Sequence, residues 1–441
     1  MTRWRRGEIG GVTKMKWLEL NQEQQRDLDY KIEKARWVIG EALAVSHRPV
    51  VAFSGGKDST VLLDLIQRYF PEQAQRVAVV YGNTGVEFPE CVKWARSRTK
   101  ELGVEFYEAC PGSIECRHYK YAAQRRIWQR LIDDGTISDV LKEDGKLTST
   151  LALERACPED LAKEFETERL IWRAGMRKSY FYCVDQYGWP LLGKAWSKLK
   201  ARRINIDTFL RYSESQSEDP KLLSYYEVLR EVKISQACCD VLKKEPAERV
   251  QESIGADLVF KGLMASESRT RAINFITRGY LFEGRKKDYL QGDPFFHCQP
   301  MAVWTDEDVW QYIRRFEVPY APLYDMKFYA QDGSVQHIRR NGCMFCATDL
   351  RYSDNHLYAL RQTHPTAWRA IMRAGLGDQI RRLQRALRSA PQLALFDMFA
   401  TKELIEAQPC VFDDLDGLGG RPDYDGLSYD PEADEQVEMR L

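Results

Sequence analysis

Residues 48–70 read RPVVAFSGGKDSTVLLDLIQRYF. The apolar run Val50–Phe53 is short enough for a buried strand, and from Thr60 the apolar residues recur at helical spacing. Strand, glycine loop and helix in that order leave backbone N–H groups at a helix N-terminus, where the helix dipole favours an anion. Gly55 and Gly56 allow a tight turn around phosphate oxygens, Ser54 and Ser59 offer hydroxyls, and Lys57 offers a positive charge. Asp58 is placed to orient the loop or a magnesium ion.

Outward from this stretch the same alternation continues. DLDYKIEKARWVIGEALAV, ending at Val45, predicts an amphipathic helix before the strand. RVAVVYGNTG predicts a second strand ending in Asn83-Thr84-Gly85, and a helical CVKWARSRTKELG leads to a third strand in VEFYEA. ADLVFKGL predicts a later strand ending in Gly262, and WTDEDVWQYIRRF a helix capped by Thr305 with acidic residues in its first turn. Strands alternating with helices imply an α/β, doubly wound, mostly parallel sheet with helices on both faces. Ligands in such sheets lie across the carboxyl ends of the strands, so Asn83, Thr84 and Gly85 are candidates for base or ribose contact.

The expected organisation is a first part of the nucleotide domain over 1–109, a charged helical insertion over 110–179 and the remainder of the domain over 180–350. An arginine-rich helical region over 351–410 and an acidic tail over 411–441 complete it. The tail holds ten acidic residues against two arginines, a composition that does not bury a core.

Lys+Arg and Asp+Glu both number 65, so no net field draws the 441-residue chain to nucleic acid or lipid. No apolar run reaches the roughly 20 residues that span a bilayer, and MTRWRRGEIGG lacks the apolar stretch of a signal peptide. A cytoplasmic protein without a membrane partner is expected. In that compartment the 11 cysteines read as small buried residues or metal ligands before they read as disulfides. Adjacent Cys238-Cys239 and the later Cys343-Met-Phe-Cys346 can supply four thiolates, enough for a four-iron cluster or a structural zinc.

SGGKDS resembles the pyrophosphate-binding signature of the PP-loop superfamily (adenine nucleotide α-hydrolase-like), whose members bind ATP or an adenylylated sulfur compound. Cys-Cys followed after about a hundred residues by Cys-x-x-Cys resembles the cluster ligation of assimilatory adenylylsulfate reductases, which implies a 4Fe-4S cluster. In CCDVLKKEP, Lys243 matches the family's basic residue between cluster and nucleotide. YFYCVDQYGWP, GLMASESRTRA, QPMAVWTDEDVWQYI and VPYAPLYDMKF follow the order of segments in the adenylylsulfate and phosphoadenylylsulfate (PAPS) reductase family. The resemblance covers most of residues 35–350. It implies catalytic roles for Lys57, Asp58 and Lys243, and nucleotide contacts from Gly262, Arg269 and Arg271 besides the phosphate loop. Arginine forks match phosphate or sulfate oxygens.

Two departures bear on function. Met264 stands where relatives commonly carry an arginine, and the family's Glu-Cys-Gly-Leu/Ile-His segment with its nucleophilic thiol has no counterpart here. The late Cys410 is set among acidic residues, which raise a thiol pKa. The resulting expectation is an ATP pyrophosphatase that adenylates a nucleic-acid acceptor for sulfur incorporation, as in DNA phosphorothioation, with ATP, Mg2+ and the cluster as cofactors. A cysteine desulfurase or another sulfur donor is the expected partner. Basic pairs and runs at Arg125-Arg126, Lys198-Lys200-Arg202-Arg203, Arg285-Lys286-Lys287, Arg339-Arg340 and Arg381-Arg382-Arg385-Arg388 suit a nucleic-acid backbone. The alternatives are a sulfonucleotide reductase releasing sulfite and a non-catalytic nucleotide-sensing subunit of a sulfur-modification complex.

Overall fold

The computed structural model describes residues 16–114, 118–119, 170–172, 175–190, 235, 237–284, 295–330, 333–346, 356–377 and 379. Cys116, Cys157, Cys410, the acidic tail and every basic group named above except Arg339-Arg340 lie outside the described residues. The chain divides into two compact units, one of residues 1–110, 243–346 and 354–367, the other of residues 111–242, 347–353 and 368–441.

In the first unit, helix α1 (Leu28–Val45) leads to β1 (Pro49–Phe53), then α2 (Lys57–Tyr69), β2 (Ala78–Gly82), α3 (Pro89–Glu101) and β3 (Phe106–Ala109). Two short strands of the second unit follow, β4 (His118–Tyr119) and β5 (Leu170–Trp172). The first unit resumes after Leu242 with α4 (Glu245–Ser253), β6 (Leu258–Lys261), α5 (Arg269–Arg278), β7 (Leu281–Gly284) and β8 (Phe295–Cys298). It ends with α6 (Asp306–Phe316), the strands β9 (Lys327–Tyr329) and β10 (Val335–His337), and α7 (His356–Thr363).

The main sheet runs β3-β2-β1-β6-β8-β7, with every pair parallel except β7 with β8. Successive side chains of a strand point to opposite faces, and the burial follows that rule. Val51, Phe53, Val79, Tyr81, Leu258 and Phe260 share a core with residues of α1, α2 and α6. Val50, Ala78, Val80, Val259 and Phe295 share a second core, packed by Ala247 and Val250 of α4. Helices therefore cover both faces, as the alternating sequence pattern implies, and each fully buried Val or Leu contributes about 1.5–3 kcal/mol.

Only part of the expected helical insertion over 110–179 lies within the described residues. There β4 pairs antiparallel with β5, and Ser113 bridges Arg177. The charged sequence over 120–169 lies outside the described residues. In the expected helical region over 351–410, α7 stops at Thr363 and a new helix starts at Pro365, whose ring removes a helical N–H.

Two charged groups inside this unit have structural consequences. Lys31 on α1 is 1% exposed, and its Nζ donates to Asp308 Oδ2 at 2.6 Å and to the Gln24 carbonyl at 2.7 Å. Asp308 Oδ2 also accepts from the Thr305 N–H and hydroxyl, both at 2.7 Å, so the cap of α6 and the α1–α6 contact share one carboxylate.

His297 on β8 lies between Phe282 and Phe295, and burial lowers its pKa from 6.5 to about 3, with Lys261 and Arg278 adding repulsion. The unfolded chain takes up this proton as pH falls below about 6.5 while the folded chain resists until about 3. Stability is thus complete above pH 6.5 and declines through that window. His297→Gln is expected to flatten acid unfolding between those limits, as read from urea midpoints across pH.

Candidate functional site

β1 has β2 on one side and β6 on the other, and the connections leave it in opposite directions. The gap between the carboxyl ends of β1 and β6 is thus a topological switch point, where open α/β sheets bind ligands. Residues 54–59 of the candidate loop lie there, at the entry to α2. Gly55 has φ +70°, and a Cβ on it would sit 3.0 Å from the Cys91 carbonyl. A Cβ on Gly56 would overlap the Asn341 side-chain amide. Across the gap a Cβ on Gly262 would come within 3.0 Å of the Asp58 carbonyl. Gly262 thus lets the end of β6 press against the loop.

The loop is preorganised by its own hydroxyls. Ser59 Oγ donates to the Gly56 carbonyl at 3.0 Å and accepts from the Ser54 N–H at 3.2 Å, and it lies 3.1 Å from Ser54 Oγ. Ser54 Oγ accepts from the Gly56 N–H at 3.3 Å. Ser54 and Ser59 thus shape the turn that presents the backbone amides.

Lys57 is only 4% exposed, with its ammonium on two carboxylates, Asp306 Oδ1 at 2.7 Å and Asp58 Oδ1 at 3.1 Å. Its backbone N–H donates to the buried Tyr324 hydroxyl at 3.0 Å. Burial, reinforced by the Asp58 charge, raises the Tyr324 pKa well above the usual phenol range, so this group stays neutral.

Three participants escaped the sequence reading. Asn341 donates to the Ser54 carbonyl at 2.8 Å and blocks the space beside Gly56, while Tyr324 and Asp306 hold the two ends of Lys57. Asp306 had a visible signal as a first-turn acid of an expected helix, but its target, Lys57, lies 249 residues upstream.

The polar end of β2, expected to contact base or ribose, is held by hydrogen bonds of its own. Asn83 donates to Glu108 at 2.6 Å and accepts from the Gly85 N–H at 2.9 Å, an Asx turn that suits the φ of +80° at Gly85. Thr84 is buried and donates to Glu87 Oε1 at 3.0 Å, with Cys343 Sγ at 3.5 Å. Arg269 and Arg271 open α5, where Arg271 pairs with Glu267 one turn back. Met264 is 2% exposed in the core, so no anion contact comes from it.

Cys343 and Cys346 share a turn closed by the Cys346 N–H on the Cys343 carbonyl at 3.0 Å, and Glu87, in the connection from β2 to α3, forms a β-bridge with Cys343. Burial, with the Glu87 carboxylate next, pushes the Cys343 thiol well above its ordinary pKa, and Lys243 opposes the shift. Lys243 also lies beside Gly82 at the end of β2. Cys238 and Cys239 belong to the second unit, on a short helix Ala237–Cys239 that runs into the π-helical turn Asp240–Lys244. Among the described residues no three Cys, His, Asp or Glu side chains converge as a metal-holding group. Cys343 and Cys346 thus share a turn of the first unit, and Cys238 and Cys239 are neighbours in the second.

Comparison with known proteins places this geometry. The family model for the phosphoadenosine phosphosulfate reductase domain matches residues 48–152 and 186–348, more than half of the chain. An adenosine 5'-phosphosulfate reductase of Staphylococcus haemolyticus is 31% identical over 119 residues, 27% of this chain and 40% of the relative. A phosphoadenosine 5'-phosphosulfate reductase of Xylella fastidiosa is 30% identical over 86 residues, 20% of this chain and 31% of the relative. Each match thus spans less than half of the relative's length. Among solved structures, a phosphoadenylyl-sulfate reductase from Candida auris aligns with a TM-score of 0.31 at 13% identity, covering 75% of this chain and all of that one. A U34-tRNA thiolase from Methanococcus maripaludis with its 4Fe-4S cluster aligns with a TM-score of 0.29 at 13% identity, covering 81% of this chain and 78% of that one. With its phosphate loop at the β1–β6 switch point, this chain belongs to the phosphoadenosine phosphosulfate reductase domain family.

Proposed function

We propose that the chain is an ATP pyrophosphatase that adenylates a nucleic-acid oxygen for replacement by sulfur, as in DNA phosphorothioation. The observation that carries this reading is the setting of Lys57, whose ammonium meets both Asp58 and Asp306 at the phosphate loop. Two carboxylates repel a bare anion, yet they suit a polyphosphate that arrives with magnesium, which is commonly held by one or two carboxylates plus phosphate oxygens. Asp58 and Asp306 are the residues that would hold it. The ion would supply charge neutralisation on the departing pyrophosphate.

In the proposed reaction the acceptor oxygen attacks the α-phosphorus, the bond from that phosphorus to the α–β bridging oxygen breaks, and pyrophosphate leaves. Sulfide then displaces AMP from the adenylated acceptor. The loop amides and Lys57 bind and orient the phosphates, and Lys243 adds positive charge from the end of β2. Cys238, Cys239, Cys343 and Cys346 are the proposed ligands of an iron–sulfur cluster, and iron and sulfide analysis after anaerobic purification tests that part separately. A loss of both elements in Cys343→Ser and in Cys238→Ser is the expected result.

The primary test is pyrophosphate release from MgATP with and without a DNA acceptor. Acceptor-dependent release supports the reading. Sulfite release from a sulfonucleotide without ATP cleavage would replace it with the second reading, reductase activity, which the names of the sequence relatives favour. Cytoplasmic location and a sulfur-donor partner remain part of the proposal; no helix among the described residues is long and apolar enough to cross a membrane.

A further inference from the structure

β9 and β10 form an antiparallel hairpin in which Tyr329 faces Val335 and Lys327 faces His337. Those four side chains share one face, and all are exposed, Tyr329 at 64% and Val335 at 56%. Phe328 on the opposite face is 2% exposed and anchors the hairpin in the core. The outer edge of β9 is already used, because Gln362 of α7 accepts from the Tyr329 N–H at 2.9 Å and donates to its carbonyl at 2.7 Å. A partner strand therefore has no edge to join there, and what the hairpin offers is its side-chain face.

That face carries a cationic and an aromatic side chain, Lys327 and Tyr329. Arg339 and Arg340 follow β10 and are exposed, as is Asp325 ahead of β9, and Asp332 of the connecting turn lies outside the described residues. An exposed tyrosine flanked by such charges gives a base a surface to stack on and gives phosphates their counter-charges. The chain then runs from Arg340 directly into Asn341, whose amide holds the Ser54 carbonyl of the phosphate loop. Arg339 is therefore two residues from the side chain that contacts the phosphate loop.

We propose that the solvent face of the β9–β10 hairpin is the docking strip for a single-stranded nucleic-acid segment, with a base on Tyr329 and phosphates on Lys327 and Arg339. This rests on the nucleic-acid acceptor reading above and adds the place where the acceptor lies. An acidic peptide is the competing occupant, but it would leave the aromatic stacking surface without use.

The test is fluorescence anisotropy of a labelled single-stranded DNA of roughly 12 nucleotides on the full chain. Titrations run between about 50 and 200 mM salt, with affinity for a fluorescent MgATP analogue measured in parallel. Tyr329→Ala is expected to weaken DNA binding about 5- to 100-fold. Lys327→Ala with Arg339→Ala is expected to lower the slope of log affinity against log salt by about 1.4. MgATP affinity stays within twofold for all of these variants, which reports that the fold is intact. If wild type binds the DNA but the hairpin variants bind it equally well, the strip is wrong and the acceptor reading stands. If wild type binds MgATP but no nucleic acid, the acceptor reading fails and takes the strip with it. Duplex bound more tightly than single strand, or equal displacement by polyglutamate, also overturns the proposal.

Discussion

Lys57→Ala is expected to lower MgATP cleavage by about 10²–10³-fold, the cost of removing a preorganised charge from the site where a pyrophosphate departs. Binding should weaken as well. Without the ammonium, Asp58 and Asp306 lose the cation that lies within 3.1 Å of both, and their charges then face the incoming phosphates. Lys57→Arg should not restore activity, because the slot is 4% exposed, closed by Tyr324, and shaped for a compact ammonium rather than a planar fork. Asp306→Asn separates the two effects, since it keeps Lys57 and removes one repelling charge. Pyrophosphate release and equilibrium dialysis with ATP measure them, and unchanged turnover in Lys57→Ala would remove the phosphate-loop assignment altogether.

Asp308→Ala is expected to destabilise the first unit by about 3–5 kcal/mol, the range for breaking a buried ion pair. The loss strands Lys31 at 1% exposure with only the Gln24 carbonyl as a partner, and it deletes the acceptor for both polar groups of Thr305. Urea unfolding with an unchanged slope and a shifted midpoint is the expected record. The paired change Lys31→Met with Asp308→Leu should cost far less than Asp308→Ala alone, because no uncompensated charge stays buried. A single-variant cost below about 1 kcal/mol would mean that Lys31 finds water or another acceptor.

Legibility from sequence followed the distance over which a residue acts. Strand β1, the glycine turn and the start of α2 are contiguous, so their order alone identified an anion site, and the Thr305 cap was visible from its neighbours. Thr84 was visible as a polar strand end, but its partners were not, because its hydroxyl meets Glu87 and a cysteine 259 residues later. Gly56 read as conformational freedom, whereas the tighter constraint is the Asn341 amide beside it. The cysteine spacing identified two candidate pairs, yet spacing carries no information on whether two chain segments meet. The Arg271–Glu267 pair was legible too, since Glu267 four residues before it is the usual helical partner.

The hydrogen bond from Asn341 to Ser54 spans 287 residues, which has a consequence for how the protein is made. At about 5–20 residues per second a ribosome needs roughly 15–60 s to travel that far. During that time the glycine turn has been synthesised without its plug, and β1 lacks the neighbour that arrives only with Leu258–Lys261. The nascent chain thus carries an apolar strand with one open edge, the kind of surface that chaperones hold and that sticks to other chains. Nucleotide cannot rescue it early, because its binding platform is completed near the end of translation. Yield in the cell should accordingly depend on translation speed downstream of β1 more than on nucleotide supply.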